Sequence, residues 1–168
     1  MTKSIFLIAF LGLTFIASCQ TKKIIKSKIA ATKYAGSYSY GTSAEKGRVG
    51  FIQVYPETDN TILFYIDLNA GPPSYSMGSL YGRLEIKNGT GIYYNDFGYS
   101  NGGCKLKFQF ANKQLTIEAI EDECGFGHSV YADGVFTRIS GKTDEYFEDN
   151  EMTKAYFEKT KPTDYYKQ

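Results

Sequence analysis

From residue 34 to residue 139 apolar side chains recur at every second position in short runs. That period gives a strand one buried face and one wet face. The run 61–68 sets Ile62, Phe64, Ile66 and Leu68 against Leu63, Tyr65 and Asp67. The run 104–110 sets Leu106, Phe108 and Phe110 against Lys105, Lys107 and Gln109, and in 115–120 Leu115, Ile117 and Ala119 stay in phase. Further strands are predicted over 34–40, 48–55, 80–86, 90–95, 129–132 and 134–139, with Pro56 stopping the second. In 80–86, Leu80, Leu84 and Ile86 share the inward face with Gly82, which reads there as a bend or bulge. Tyr81, Arg83 and Glu85 take the outer face.

The breaks between runs carry turn chemistry. Asn88-Gly89 is the strongest hairpin signal in the chain. Gly71-Pro72-Pro73 is a loop, because proline cannot serve a central ladder. The polar, glycine-rich stretch 96–103 is another. One layer of such strands cannot bury its apolar face alone. The prediction is an all-β fold, a small antiparallel meander barrel of about eight strands that also hides its edges. A two-sheet β-sandwich is the alternative. Phe64, Ile66, Leu84, Leu106, Phe108, Phe110, Leu115 and Ile117 are large enough to predict a filled interior.

The two ends of the chain break this pattern. Residues 140–168 open with the acidic group Asp144, Glu145, Glu148, Asp149 and Glu151. One or two helical turns are predicted over 152–158, ended by Pro162. Tyr146, Phe147, Tyr156 and Phe157 are expected to dock on the barrel, because four aromatic rings are costly to leave in water. Residues 1–18 carry Lys3, an uncharged apolar core and two small residues before Cys19, the layout of a secretory signal too short to span a bilayer comfortably. The tetrad Ile16-Ala17-Ser18-Cys19 resembles the lipobox of bacterial lipoproteins. That resemblance implies lipidation of Cys19 and cleavage before it. It places the protein in the bacterial cell envelope, anchored to the outer membrane and facing the periplasm. Residues 19–33 then form a basic tether, in which Lys22, Lys23, Lys26, Lys28 and Lys33 either lie near anionic head groups or stand in solvent. The expected organisation is a signal peptide over 1–18, the tether over 19–33, the barrel over 34–139 and the aromatic tail over 140–168.

Composition narrows the partners. Lys and Arg number 19 and Asp and Glu number 18, and loss of Lys3 with the leader levels them. No global basic field points to nucleic acid. Tyr numbers 15 and Trp is absent, an aromatic content that speaks against a disordered chain. With Cys19 committed to lipid, Cys104 and Cys124 are an even pair in an oxidising compartment, so a disulfide is expected. The chain has one histidine, His128, and no further structural cysteine, so no metal or cofactor is expected. No nucleophile elbow, phosphate-binding glycine loop or paired-cysteine redox motif occurs. His128 reads as a loop-surface residue, and Asp67 and Glu85 lie on outward strand faces rather than across a cleft.

The stretch Gly71 to Arg83 is better recognition material, with rigid aromatics beside a cation. Tyr75, Met77, Tyr81 and Arg83 from it, with Tyr94 and Tyr99 from the next aromatic cluster, are the candidate ligand-binding residues, expected to rim one end of the barrel. Their occupant is a protein, a glycan or a small apolar ligand. Residues 104–110, Leu115-Thr116-Ile117, Cys124-Gly125-Phe126-Gly127, Val130, Asp133-Gly134 and Phe136-Thr137-Arg138 follow one another in an arrangement that resembles small secreted bacterial β-barrel domains. Some related-looking envelope lipoproteins of that kind inhibit lysozyme. The resemblance implies a barrel with a disulfide near its closing hairpin. The expectation is a non-enzymatic, membrane-anchored binding protein of the cell envelope, in one version lysozyme-inhibitor-like. A lipocalin-like carrier of a small apolar ligand and a hydrolase with an unrecognised site are the alternatives.

Overall fold

The computed structural model describes residues 31–98, 100, 102–149 and 151–166. Cys19, the signal segment and most of the tether lie outside the described residues, as does Tyr99. Eight strands form one antiparallel sheet: β1 (Gly36–Tyr40), β2 (Val49–Pro56), β3 (Thr61–Asn69), β4 (Met77–Glu85), β5 (Thr90–Asn95), β6 (Cys104–Ala111), β7 (Gln114–Asp122) and β8 (Gly134–Ser140). Their order is β4-β3-β2-β1-β8-β7-β6-β5. The meander closes through the pairing of β1 with β8, so the two free edges are the sequence neighbours β4 and β5. The sheet is therefore a nearly closed barrel, as the alternation predicts. The expected removal of edges is incomplete, because one seam remains.

The inward set predicted from the sequence fills the barrel. Phe64, Ile66, Leu106, Phe108 and Leu115 are fully buried, and Leu84 and Ile117 nearly so. Phe110 is half-buried at one end. The Phe64 ring lies 4.8 Å from Phe108 and 5.2 Å from Tyr93, centroid to centroid, so the middle of the barrel is occupied by aromatic rings. Gly82 corrects its expectation. The β3/β4 register runs through it without a shift. A Cβ there would lie 2.5 Å from the Phe64 ring and 2.6 Å from the Tyr93 ring, so glycine is needed for close approach rather than for a bulge. The register shifts fall instead between Ser37 and Tyr38 and between Lys105 and Leu106. The strand predicted over 129–132 does not form. Val130 and Ala132 are buried from a loop, and Ser129 adopts a left-handed φ of 63°.

The tail differs from its prediction in kind. Residues 152–158 are not helical. They belong to a hairpin of β9 (Tyr146–Glu148) and β10 (Lys154–Tyr156). An isolated turn or two of helix pays nucleation cost with little return, whereas the hairpin can lay alternate residues on the barrel. Phe147, Ala155 and Phe157 do so, covering Leu63, Tyr65 and Tyr81 on the outer face of β3 and β4. The Asp149 carboxylate accepts from the Glu151 and Thr153 amides and shapes the turn. Pro162 starts a helix instead of ending one: α1 (Pro162–Tyr165) has it in the first turn, where its fixed φ fits and its missing N–H costs nothing. The aromatic docking expected of the tail is present. Tyr65 and Phe147 stack at 4.1 Å, and Tyr55 and Phe157 at 5.1 Å.

The tail also closes the seam. β4 and β5 meet at the turn where the Lys87 amide donates to the Thr90 carbonyl, but they share no ladder beyond it. Midway along, the Tyr166 hydroxyl accepts from the Tyr81 amide at 2.7 Å and donates to the Tyr81 carbonyl at 2.8 Å. One phenol thus satisfies both backbone groups of an edge residue, as a residue of a neighbouring strand would. Tyr166→Phe leaves that pair unmade in a buried setting and is expected to cost about 1–3 kcal/mol. Native-state amide exchange at Tyr81 should accelerate by a corresponding factor. Unchanged exchange there would show that the phenol does not seal the edge.

Candidate functional site

The barrel has two unlike ends. At one end the chain enters at residues 31–35 and the tight turns 57–60, 86–89 and 112–113 lie close to the strand ends. At the other end stand the longer loops 41–48, 70–76, 96–103 and 123–133. Both sequence-predicted recognition loops are at this second end.

The 70–76 loop is tied down rather than loose. The Ala70 amide donates to the Ser76 carbonyl, the Tyr75 amide to the Gly71 carbonyl, and the Gly71 amide to Asn69 Oδ1 at 2.8 Å. A Cβ on Gly71 would sit 2.5 Å from the Gly47 carbonyl, so this loop packs directly on the 41–48 loop. Tyr75 holds a left-handed φ of 50° and is 48% exposed, with Met77 beside it at 45%. The 123–133 loop crosses to the same place. Cys124 is bonded to Cys104 at the start of β6. The Gly127 amide donates to the Met77 carbonyl at 3.0 Å, and the Phe126 ring covers Gly78. The disulfide expected from the cysteine count is therefore present, and it anchors the loop that caps the β4 edge.

Arg48 joins the same end. Its guanidinium donates to the Tyr131 carbonyl at 2.9 Å and lies 5.5 Å from the Tyr131 ring and 6.0 Å from the Tyr40 ring. Tyr131 is 48% exposed. Sequence reasoning missed Arg48 and Tyr131. They are 83 positions apart, and no local spacing joins them. A cleft of about 390 Å³ runs between the first hairpin and β3, with Tyr40, Met77 and Asp67 in its wall. Burial pushes the Asp67 carboxyl up, against a smaller opposing effect of the Leu68 amide.

The other candidates separate. Tyr81 is fully buried under the tail, its hydroxyl donating to the Thr160 carbonyl at 2.7 Å. It is outward from the barrel as the period predicts, but the docked hairpin makes it unavailable as a ligand contact, which corrects its assignment to the rim. Arg83 pairs with Glu57. With the exposed Tyr94 it lines a cleft of about 340 Å³ beside the seam, whose wall also includes Lys161 and Pro162. The five described candidates are thus not one rim. Tyr75 and Met77 belong to the loop end, and Arg83 and Tyr94 to the seam. His128 is exposed on the 123–133 loop. Among the described residues no three His, Cys, Asp or Glu side chains are grouped to hold a metal ion.

Tyrosines joining tail to barrel are shifted. Burial, then the hydrogen bond with Glu158, pushes the Tyr55 phenol up to about 12. Burial is also the first cause of the upward shifts of Tyr65, Tyr81 and Tyr166. Unfolded phenols ionise near pH ~10. Above that pH the unfolded chain binds fewer protons than the folded one, so stability falls as pH rises. Their contribution is fully present below about pH 10 and is lost through the raised folded values. Denaturant midpoints measured against pH should be flat to about pH 9 and then drop, with a late-titrating fraction in the phenolate absorbance. A single titration of all 15 tyrosines near pH ~10 with the fold intact would contradict this docking.

Compared with protein-family models, with curated proteins and with solved structures, the chain matches none.

Proposed function

We propose that this is a non-enzymatic binding domain of the bacterial cell envelope, held to the membrane through a lipid on Cys19 and engaging a protein or glycan with its loop end. The observation that carries the reading is the set of exposed side chains at the pinned loop end: Tyr75, Met77 at the start of β4, and Tyr131, with Arg48 between rings. Rigid aromatics and an arginine bind at low entropic cost, and they stand at the end of the barrel opposite the entry of the chain. A tethered barrel would present that end away from the bilayer. The ring-filled interior favours this reading over carriage of an apolar ligand inside, which needs enclosed volume. Inhibition of a lysozyme is one specific version, resting on analogy alone: the chain resembles small secreted β-barrel domains, mostly of unassigned function, and some related-looking envelope lipoproteins inhibit lysozyme.

The test is capture of envelope components by the full chain, compared with Tyr75→Ala/Met77→Ala and with Tyr131→Ala. The paired substitution should reduce retention of a specific component by about tenfold or more, the loss of roughly two anchor contacts. Equal retention by all variants would remove the loop end as the binding surface. Stoichiometric inhibition assays with lysozymes decide the narrower version. Palmitate labelling that disappears in Cys19→Ala tests the anchor.

A further inference from the structure

The end of the barrel away from these loops carries a site of different chemistry. A cleft of about 390 Å³ opens between the entering chain, the 86–89 turn and the 112–113 turn. Three cations line it, Lys33, Lys113 and Arg138, and among the described residues no aspartate or glutamate does. Its floor is aromatic, with Tyr34 and Phe110 ring centroids 4.8 Å apart. Asn88 supplies an amide to the wall.

Arg138 is the informative member. It is half-buried, and among the described residues no carboxylate forms an ion pair with it. Its guanidinium donates to the Ala35 carbonyl, a neutral acceptor, and its Nε is buried with no hydrogen-bond partner among the described residues. The Tyr38 ring lies 6.0 Å away. A partly desolvated guanidinium normally meets a counter-ion, because an unpaired charge in such a place is costly. Lys113 is presented from a turn with a left-handed φ of 62°, and its carbonyl accepts from the Arg138 amide at 2.8 Å, so the two cations are held in one framework. Lys33 lies over the Tyr34 ring at 4.7 Å.

We infer that this cleft binds a phosphate ester, and that its source is the head group of an anionic phospholipid. The planar fork of arginine and the point charges of two lysines suit tetrahedral oxyanions, and the aromatic floor suits the glycerol or acyl-proximal part behind the phosphate. The lipid source rests on the anchored reading above. The chain enters the barrel at Lys33 and Tyr34, so a lipid at Cys19 brings this end, not the loop end, toward the bilayer. The cleft would then orient the barrel on the surface.

The titrations use the full chain in non-ionic detergent, and the vesicle arm uses detergent-free Cys19→Ala protein, so that neither detergent nor the lipid anchor sets retention. Inorganic phosphate and glycerol 3-phosphate are titrated calorimetrically against the wild type, Lys113→Gln and Arg138→Gln. Retention on phosphatidylcholine vesicles is compared with and without phosphatidylglycerol. Saturable binding of glycerol 3-phosphate is expected, weakened about fivefold by Lys113→Gln and further by Arg138→Gln. Lys113→Gln should also lower retention on phosphatidylglycerol vesicles, an effect the unaltered tether lysines cannot produce. Because Arg138 also bonds the backbone, the Lys113 substitution keeps the test valid if Arg138→Gln fails to fold. Equal affinity for both phosphates, with vesicle retention unmoved by Lys113→Gln, would overturn the lipid source in favour of a soluble phosphate. No saturable binding of either probe would overturn the site. Neither result touches capture through Tyr75 and Met77, which lie at the other end.

Discussion

Phe147→Ala is expected to lower the stability of the domain by about 3–5 kcal/mol, a large share of the roughly 5–15 kcal/mol of an ordinary domain. Phe147 is 1% exposed although it lies outside the barrel wall. Its ring stacks on Tyr65 at 4.1 Å and meets Tyr81 at 4.7 Å, Phe157 at 5.2 Å and Tyr165 at 5.6 Å. Truncation removes the centre of this five-ring cluster and leaves a cavity between hairpin and sheet. The hairpin has only 3 residues in each strand, so it has little stability of its own to resist undocking. Once it leaves, Leu63, Tyr65 and Tyr81 become wet and Tyr166 is drawn from the seam. Urea denaturation should show the loss, and amide exchange in β4 should rise with it. A cost below about 1 kcal/mol would mean that the barrel stands without its tail.

Replacing Cys104 and Cys124 together by alanine is expected to cost about 3 kcal/mol. The bridge closes a separation of 20 residues, which limits the unfolded chain by roughly that amount. Its loss should also reach beyond the bridge. Cys124 begins the loop whose Gly127 amide bonds Met77 and whose Phe126 covers Gly78. Freed of its anchor, that loop would uncover the β4 edge beside Tyr75 and Met77. The measurement is the denaturant midpoint of the wild type with and without reductant, beside the double variant. Reductant and substitution should shift it alike. A midpoint indifferent to both would show that the loop is held by its hydrogen bonds alone. Loss of partner capture in the double variant, with the fold still present, would further tie the loop end to binding.

The parts of this structure that were readable in advance are those set by neighbours in the chain. Ile62, Phe64, Ile66 and Leu68 announced the core face of β3, and all four are buried in the barrel. Asn88-Gly89 announced the turn between β4 and β5, where both residues take left-handed φ values of 53° and 82°. The candidate site was readable only in part. Tyr75 and Met77 are exposed where a proline-containing loop led one to expect them, whereas Tyr81 met the tail and Arg83 met Glu57. The helical reading of 152–158 failed because a weak local preference cannot compete with docking. The same residues bury Ala155 and Phe157 when extended.

Alternation and turn chemistry determined which faces of the strands are apolar, where the chain reverses and that the sheet must curl to hide one side, because each is written within a few consecutive residues. Tertiary contact decided the rest: that the barrel stays open between β4 and β5, that a phenol 85 residues away fills the gap, and that Lys33, Lys113 and Arg138 share a cleft. Those arrangements depend on which distant segments come together, and no periodicity along a single chain records that.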